Sequence, residues 1–318
     1  RRGRVIVLVV MDPVERINPE GDTTLVLVEE MFRRGYTVEI CEPGELELER
    51  GEAAAVVSAV AGVDREAYPC IKREGARWRR LADYDAIWMR KDPPFDQEFY
   101  FYTLILEQAR GKTLLVNDPR GLRDANEKLY IFNFPSLIPP SRVTRSLARL
   151  RQFLDECGGE MIVKPLDRCG GGGVFHVRKD DRNTNSILET VTDNEQQLVM
   201  AQQYLPAVRT GDKRIILLDG EPIGAVLRVP REDETRSNLH VGGRAAHTEL
   251  DERDREICAA VGPRLRADGL YFVGVDVIGG MLTEVNVTSP TGIQEIDRLE
   301  GVRLESRVID WLEKRVQR

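Results

Sequence analysis

Histidine is scarce in this chain of 318 residues. Only His176, His240 and His247 are present, and no spacing among them makes a metal-ligand pair. That argues against zinc chemistry and against an imidazole base. Cys41, Cys70, Cys157, Cys169 and Cys258 are scattered, odd in number and without a CxxC pair, which points to free thiols in a reducing cytosol. No apolar run is long enough to cross a membrane, and the basic N-terminus lacks the cleavage pattern of a signal peptide, so a cytoplasmic protein is expected. No GxGxxG follows the first strand and no GxxxxGK[ST] loop occurs, which sets aside the dinucleotide and P-loop sites. A net charge of -7 speaks against broad binding to nucleic acid or anionic membranes.

What the chain has is core material, 42% hydrophobic beside 31% charged residues, at a length that implies two or three domains. The first third alternates buried-strand runs (5–10, 36–41, 86–89, 113–117) with helical stretches (23–34, 98–110), the rhythm of an open parallel sheet covered by helices. Ligands of such sheets bind beyond the carboxyl ends of the strands, where Met11-Asp12-Pro13, Arg90-Lys91-Asp92 and Asn117-Asp118-Pro119 stand. The middle reads as helices over 126–133 and 146–157 and strands over 160–164 and 174–178, joined by a glycine-rich loop. The last third holds hairpins turning at Asp219-Gly220 and Gly279-Gly280, an irregular polar stretch over 230–243, and helices over 251–267 and 303–316.

The second hairpin carries chemistry. Asp276, Glu284 and Asn286 are hard oxygen donors that suit Mg²⁺. A two-residue turn alone would set Asp276 opposite Thr283 and send Glu284 to the other face. A three-residue turn or a bulge gathers all three on one face; ordinary solvated strand residues are the alternative. Upstream, Lys164 ends a strand and precedes Pro-Leu-Asp-Arg-Cys and four glycines, which let backbone N–H groups approach an anion. Gln203-Tyr204-Leu205 then offers an extended backbone to an adenine edge, with Asp212 and Arg214 just beyond.

In this order the segments resemble the bacterial glutathione synthetases of the ATP-grasp superfamily, along almost the whole chain. The most specific strings are Met89-Arg-Lys-Asp-Pro-Pro-Phe-Asp96 and Thr283-Glu-Val-Asn-Val-Thr-Ser-Pro-Thr291, supported by Leu122-Arg-Asp-Ala-Asn-Glu-Lys-Leu129 and Met200-Ala-Gln-Gln-Tyr-Leu-Pro-Ala207. The resemblance implies an α/β (α+β) ATP-grasp fold behind an N-terminal open parallel α/β domain. The divisions would be a substrate-binding domain over 1–122, a lid domain over 123–200 and a catalytic domain over 201–318.

By the same resemblance, ATP lies between two antiparallel sheets, with Lys128 and Lys164 on its phosphates and Gly170, Gly171, Gly172 and Gly173 covering them. Gln203, Tyr204 and Leu205 meet adenine, Asp212 the ribose, and Asp276, Glu284 and Asn286 hold Mg²⁺, for which Mn²⁺ can substitute. The implied reaction joins γ-glutamylcysteine to glycine through an acyl phosphate, with Arg214 and Arg236 at the reacting groups. Arg90 and Lys91 would take the dipeptide's carboxylates, and Asn238, Ser289, Pro290 and Thr291 would line the substrate site, under a lid formed by 230–243. A homotetramer is expected. One departure stands out: the family commonly has Asp-Gly-Met-Gly-Gly where this chain has Asp167-Arg-Cys-Gly-Gly171. If position 168 needs positive φ, arginine there costs roughly 1 kcal/mol or more relative to glycine. Another ATP-grasp ligase, or a nucleotide-binding scaffold without catalysis, are the rival readings.

Overall fold

The computed structural model describes residues 4–167, 172–234, 236–239 and 242–316. The run IVLVVM forms β1 (Ile6–Met11), buried along nearly its whole length, as a central parallel strand must be. It pairs in parallel with β2 (Thr37–Cys41) and β6 (Ala86–Arg90), and β6 with β7 (Leu114–Val116). Helices α1 (Thr23–Arg33), α2 (Gln97–Glu107) and α3 (Pro119–Asp124) make the connections, each opened by an aspartate, Asp22, Asp96 or Asp118, whose carboxylate caps its first turn.

Alternation did not reveal the antiparallel extension of this sheet. β3 (Leu46–Glu49) and β5 (Ile71–Arg80) both pair with β4 (Glu52–Val63), which joins β2. β5 reads IKREGARWRR and is exposed on both faces, so it carries no apolar period. Its charges are what an edge strand needs to resist further pairing.

The second sheet has the order β10-β9-β11-β8, all antiparallel: β8 (Ser141–Thr144), β9 (Glu160–Pro165), β10 (Phe175–Arg178) and β11 (Val199–Gln203). With α4 (Leu147–Glu156) and α5 (Thr184–Val191) it encloses a small core of its own around Leu150, Phe153, Met161, Val163 and Leu188. The third sheet, β14-β13-β12-β15-β16, comprises β12 (Asp212–Leu218), β13 (Glu221–Val229), β14 (Arg244–Ala246), β15 (Phe272–Ile278) and β16 (Met281–Asn286). It shares its apolar cores with the first sheet: Val10 and Met89 belong to the same cluster as Val275 and Val285. Helices α6 (Glu252–Ala267), α7 (Ile293–Glu300) and α8 (Leu304–Val316) complete the chain, with α8 packed on α1.

The expected helix over 126–133 shrinks to a short 3-10 stretch, Leu129–Asn133. The Asn126 side-chain oxygen accepts from the backbone N–H groups of Lys128 and Leu129, forming a turn that competes with helix at this position.

Candidate active site

Both hairpins of the third sheet share one device. Each turns through two residues with positive φ, Asp219-Gly220 and Gly279-Gly280. Each then carries an extra residue in its second strand. Ile216 pairs Gly224 while Leu217 pairs Pro222, and Asp276 pairs Glu284 while Val277 pairs Leu282. The extra residues, Ile223 and Thr283, shift the register by one. The second bulge sets Asp276 across from Glu284, and Gly274 across from Asn286. Period two then places Asp276, Glu284 and Asn286 on one face, by the bulge that the sequence left open as a route. The first bulge sets Arg228 across from Asp212.

That face is crowded with charge. Arg214 donates through Nε and Nη2 to the two carboxylate oxygens of Asp276, at 2.5 and 3.0 Å, and Arg228 Nη2 lies 3.0 Å from Asp276 Oδ2 and 2.6 Å from Asp212 Oδ2. The Asn286 amide donates to the same Asp276 oxygen at 3.3 Å. Lys128 Nζ stands 3.3 Å from Glu284. Gly274 makes room for this arrangement: a Cβ there would fall 2.9 Å from Arg214 Cδ. Burial pushes the Asp276 carboxyl up, but the two arginines outweigh it and hold the group well below the usual carboxylate range. Asp212 goes the other way, raised by burial against the pull of Arg228. Lys164 donates to Gln202 at 3.0 Å, and burial holds its ammonium below the usual lysine value.

These groups line a cavity of about 560 Å³ that runs from the second sheet to the carboxyl end of β6. At one end Ile162, His176 and Tyr204 form a wall, the last two rings stacked 4.0 Å apart, with Gln203 and Leu205 beside them. At the other end is Arg90, only 4% exposed. Its Nε donates to Thr24 Oγ1 and its Nη2 to the Pro290 carbonyl, while Nη1 is buried with no hydrogen-bond partner among the described residues. Burial lowers its affinity for the proton, against the pull of Asp22 and Asp92. Ser289, Pro290, Thr291, Asn238 and Arg236 line the cavity too; Arg236 is forked on Glu234 at 2.7 Å.

The patterns of the prokaryotic glutathione synthetase N-terminal domain and ATP-grasp domain match residues 5–123 and 127–301. The chain belongs to the prokaryotic glutathione synthetase family. It is 47% identical over 312 residues to the glutathione synthetase of Gloeobacter violaceus, covering 96% of each, and 44% identical over 310 residues to that of Salmonella typhi, covering 97% and 98%. Among solved structures, a D-cycloserine synthetase superposes with a TM-score of 0.70 at 18% identity, covering 98% of this chain and 99% of that one. The ATP-grasp ligase PsnB, in complex with a minimal precursor, Mg and ADP, superposes at 0.64 and 16% identity, covering 98% of each. At these identities the two structures speak for the ATP-grasp fold. Like its family, the chain is an ATP-dependent ligase that forms glutathione, consistent with the relatives above.

Against the expectations for a glutathione synthetase, most residues converge on the cavity, and Lys91 does not. Its Nζ donates to the Asp92 carbonyl and stands over the Phe99 ring, because the chain turns away after β6. Arg214 forms its ion pair with Asp276, which stands opposite it on β15. Gly172 lines the cavity whereas Gly173 is not on its wall; Gly170, Gly171, Arg168 and Cys169 lie outside the described residues. Two residues escaped sequence reading. Arg228 could have been found by counting outward along both arms from the Asp219-Gly220 turn with one bulge allowed. Glu127 was hidden beside Lys128.

Proposed function

We propose that the cavity holds ATP and the dipeptide end to end, and that the reaction runs at the Arg214–Asp276–Glu284 face. The observation that carries this reading is the bulge-set register gathering two carboxylates, an amide and two arginines between a nucleotide-sized wall and a buried arginine. Adenine would pack along Ile162, His176 and Tyr204 beside the Gln203–Leu205 backbone, with Asp212 at the ribose and Lys128 and Lys164 on the phosphates.

Asp276, Glu284 and Asn286 fit a hard cation by donor chemistry: all three bring oxygen. Among the described residues no group of three or more His, Cys, Asp and Glu stands placed for a metal, so this mixed set is the candidate. Mg²⁺, or Mn²⁺ in its place, would neutralise phosphate charge when bound.

Arg90 Nη1 gives the dipeptide a charged donor with no competing acceptor among the described residues, and Ser289 and Thr291 stand on the same wall. The γ-phosphoryl group passes from ATP to the cysteinyl carboxylate of γ-glutamylcysteine, giving an acyl phosphate and ADP. Glycine's amine attacks the carbonyl, loses a proton and expels phosphate. Both steps place charge on oxygen, which Arg214, and Arg236 from the lid, would stabilise. The lid keeps water from the acyl phosphate; Arg209 holds it by donating to the carbonyls of Arg231, Glu232 and Glu234, and Ser237 by donating to Asp212.

On this reading the chain divides into 1–122, 123–200 and 201–318, with β11 running across the 200/201 boundary. A cytoplasmic homotetramer acting on small molecules is the proposed context; no helix among the described residues is long and apolar enough to cross a membrane. The test is ADP release with ATP, Mg²⁺, γ-glutamylcysteine and glycine, omitting each in turn. Release that needs all four and yields glutathione is expected. Release that ignores the dipeptide would overturn the assignment of the Arg90 end.

A further inference from the structure

We propose that Glu127 is a positioning residue for the ligation: it fixes the loop after β16 whose carbonyls aim the arginines at both ends of the cavity. β16 stops at Asn286, and residues 287–292 have no regular pairing. Val287 and Thr288 are nevertheless buried, so their N–H groups need acceptors. One oxygen of Glu127 serves both, at 2.9 and 3.0 Å, and takes the Thr288 hydroxyl at 2.8 Å. The Glu127 carbonyl also accepts from Val285 N at 3.0 Å, joining the same residue to the strand of Glu284.

The loop so held does two things further on. The Pro290 carbonyl accepts from Arg90 Nη2 at 3.0 Å, and the Thr291 carbonyl from Arg214 Nη1 at 3.2 Å. One carboxylate, next in sequence to Lys128, therefore sets a loop that touches the guanidinium groups at the dipeptide end and at the phosphoryl end. Small misplacement of such groups costs rate far more than it costs stability. The side chain acts through this loop and not on the reacting atoms.

The inference rests on the roles given above to Arg90 and Arg214, and its test is built to fail separately from them. Steady-state kinetics would be measured for Glu127→Ala, Glu127→Gln and Arg90→Gln, with melting temperature and ATP affinity recorded for each. Glu127→Ala should raise the KM for γ-glutamylcysteine and lower kcat, about tenfold or more in kcat/KM, with ATP affinity kept within about twofold. Glu127→Gln, which keeps an acceptor oxygen, should recover to within about threefold of the parent. A lower melting temperature with unchanged kinetic constants would make Glu127 structural only and overturn the inference. So would a glutamine variant as impaired as the alanine one. If Arg90→Gln leaves the dipeptide KM unchanged, the Arg90 assignment fails instead. Should Glu127→Ala not fold, Thr288→Val carries the test, since it removes one donor to Glu127. A dipeptide KM raised severalfold supports the inference, and an unchanged one overturns it.

Discussion

The two ends of the cavity hold their charges in opposite ways. At the proposed metal and phosphate end every charge named has a protein partner: Asp276 lies between Arg214 and Arg228, and Glu284 faces Lys128. At the proposed dipeptide end Arg90 is as deeply buried, yet its hydrogen bonds go to a hydroxyl and a carbonyl, and Nη1 has no partner among the described residues. Asp22 and Asp92 act on Arg90 only from a distance, and burying a guanidinium without a carboxylate in contact is costly, so the second arrangement is sustained by the rest of the fold. On the proposed assignment, the first end exchanges partners to admit a triphosphate and a cation, and the second needs only to receive a carboxylate.

The largest effect expected from breaking this contrast is at Asp276. Asp276→Asn strips one charge from under two buried arginines, and loss of such a partner costs about 3–5 kcal/mol of stability. Ligase activity should fall by at least about a hundredfold, since a preorganised charged group at the reacting end is lost. Chemical denaturation and ADP release measure the two; a stable, active variant would mean that the cluster is ornamental. Next comes Arg90→Gln. A hydrogen bond to a charged group contributes about 1.5–3 kcal/mol, so the KM for γ-glutamylcysteine should rise roughly 10- to 100-fold while that for ATP holds. Lys91→Ala, one residue further on, should change either constant by less than about twofold, since its ammonium meets a carbonyl and a ring away from the wall.

The smallest effect lies outside the cavity. Burial, then a hydrogen bond with Glu305, raises the Asp297 carboxyl to about 7. Its folded value exceeds its unfolded one, so the stability it lends is complete below about pH 4 and is lost as pH rises through about 7. Asp297→Asn should remove that slope, worth about 1 kcal/mol once solvent screening of the half-buried Asp297 is allowed for, in melting curves taken across that range.

The same contrast explains what could be read from the residues. β1, β2, β6 and β7 are buried and mostly apolar, and apolar runs announce themselves. β5 does not, because an exposed edge strand keeps charge on both faces. The oxygen-bearing hairpin was legible as a set, but its pairing hung on one extra residue, Thr283, that no periodicity reports. Lys91 looked equal to Arg90 because sequence adjacency hides where a strand ends; the side chain before the turn enters the cavity and the one after it leaves. Arg228 needed a second bulge to be counted.

The direct test of the contrast is ATP affinity by calorimetry with Mg²⁺ present and with it chelated. If the phosphate end is walled by Asp276 and Glu284, the cation should tighten ATP binding by at least about tenfold, because without it the triphosphate meets two carboxylates. Equal affinity in the two conditions would contradict the account and move the triphosphate away from the β15–β16 face.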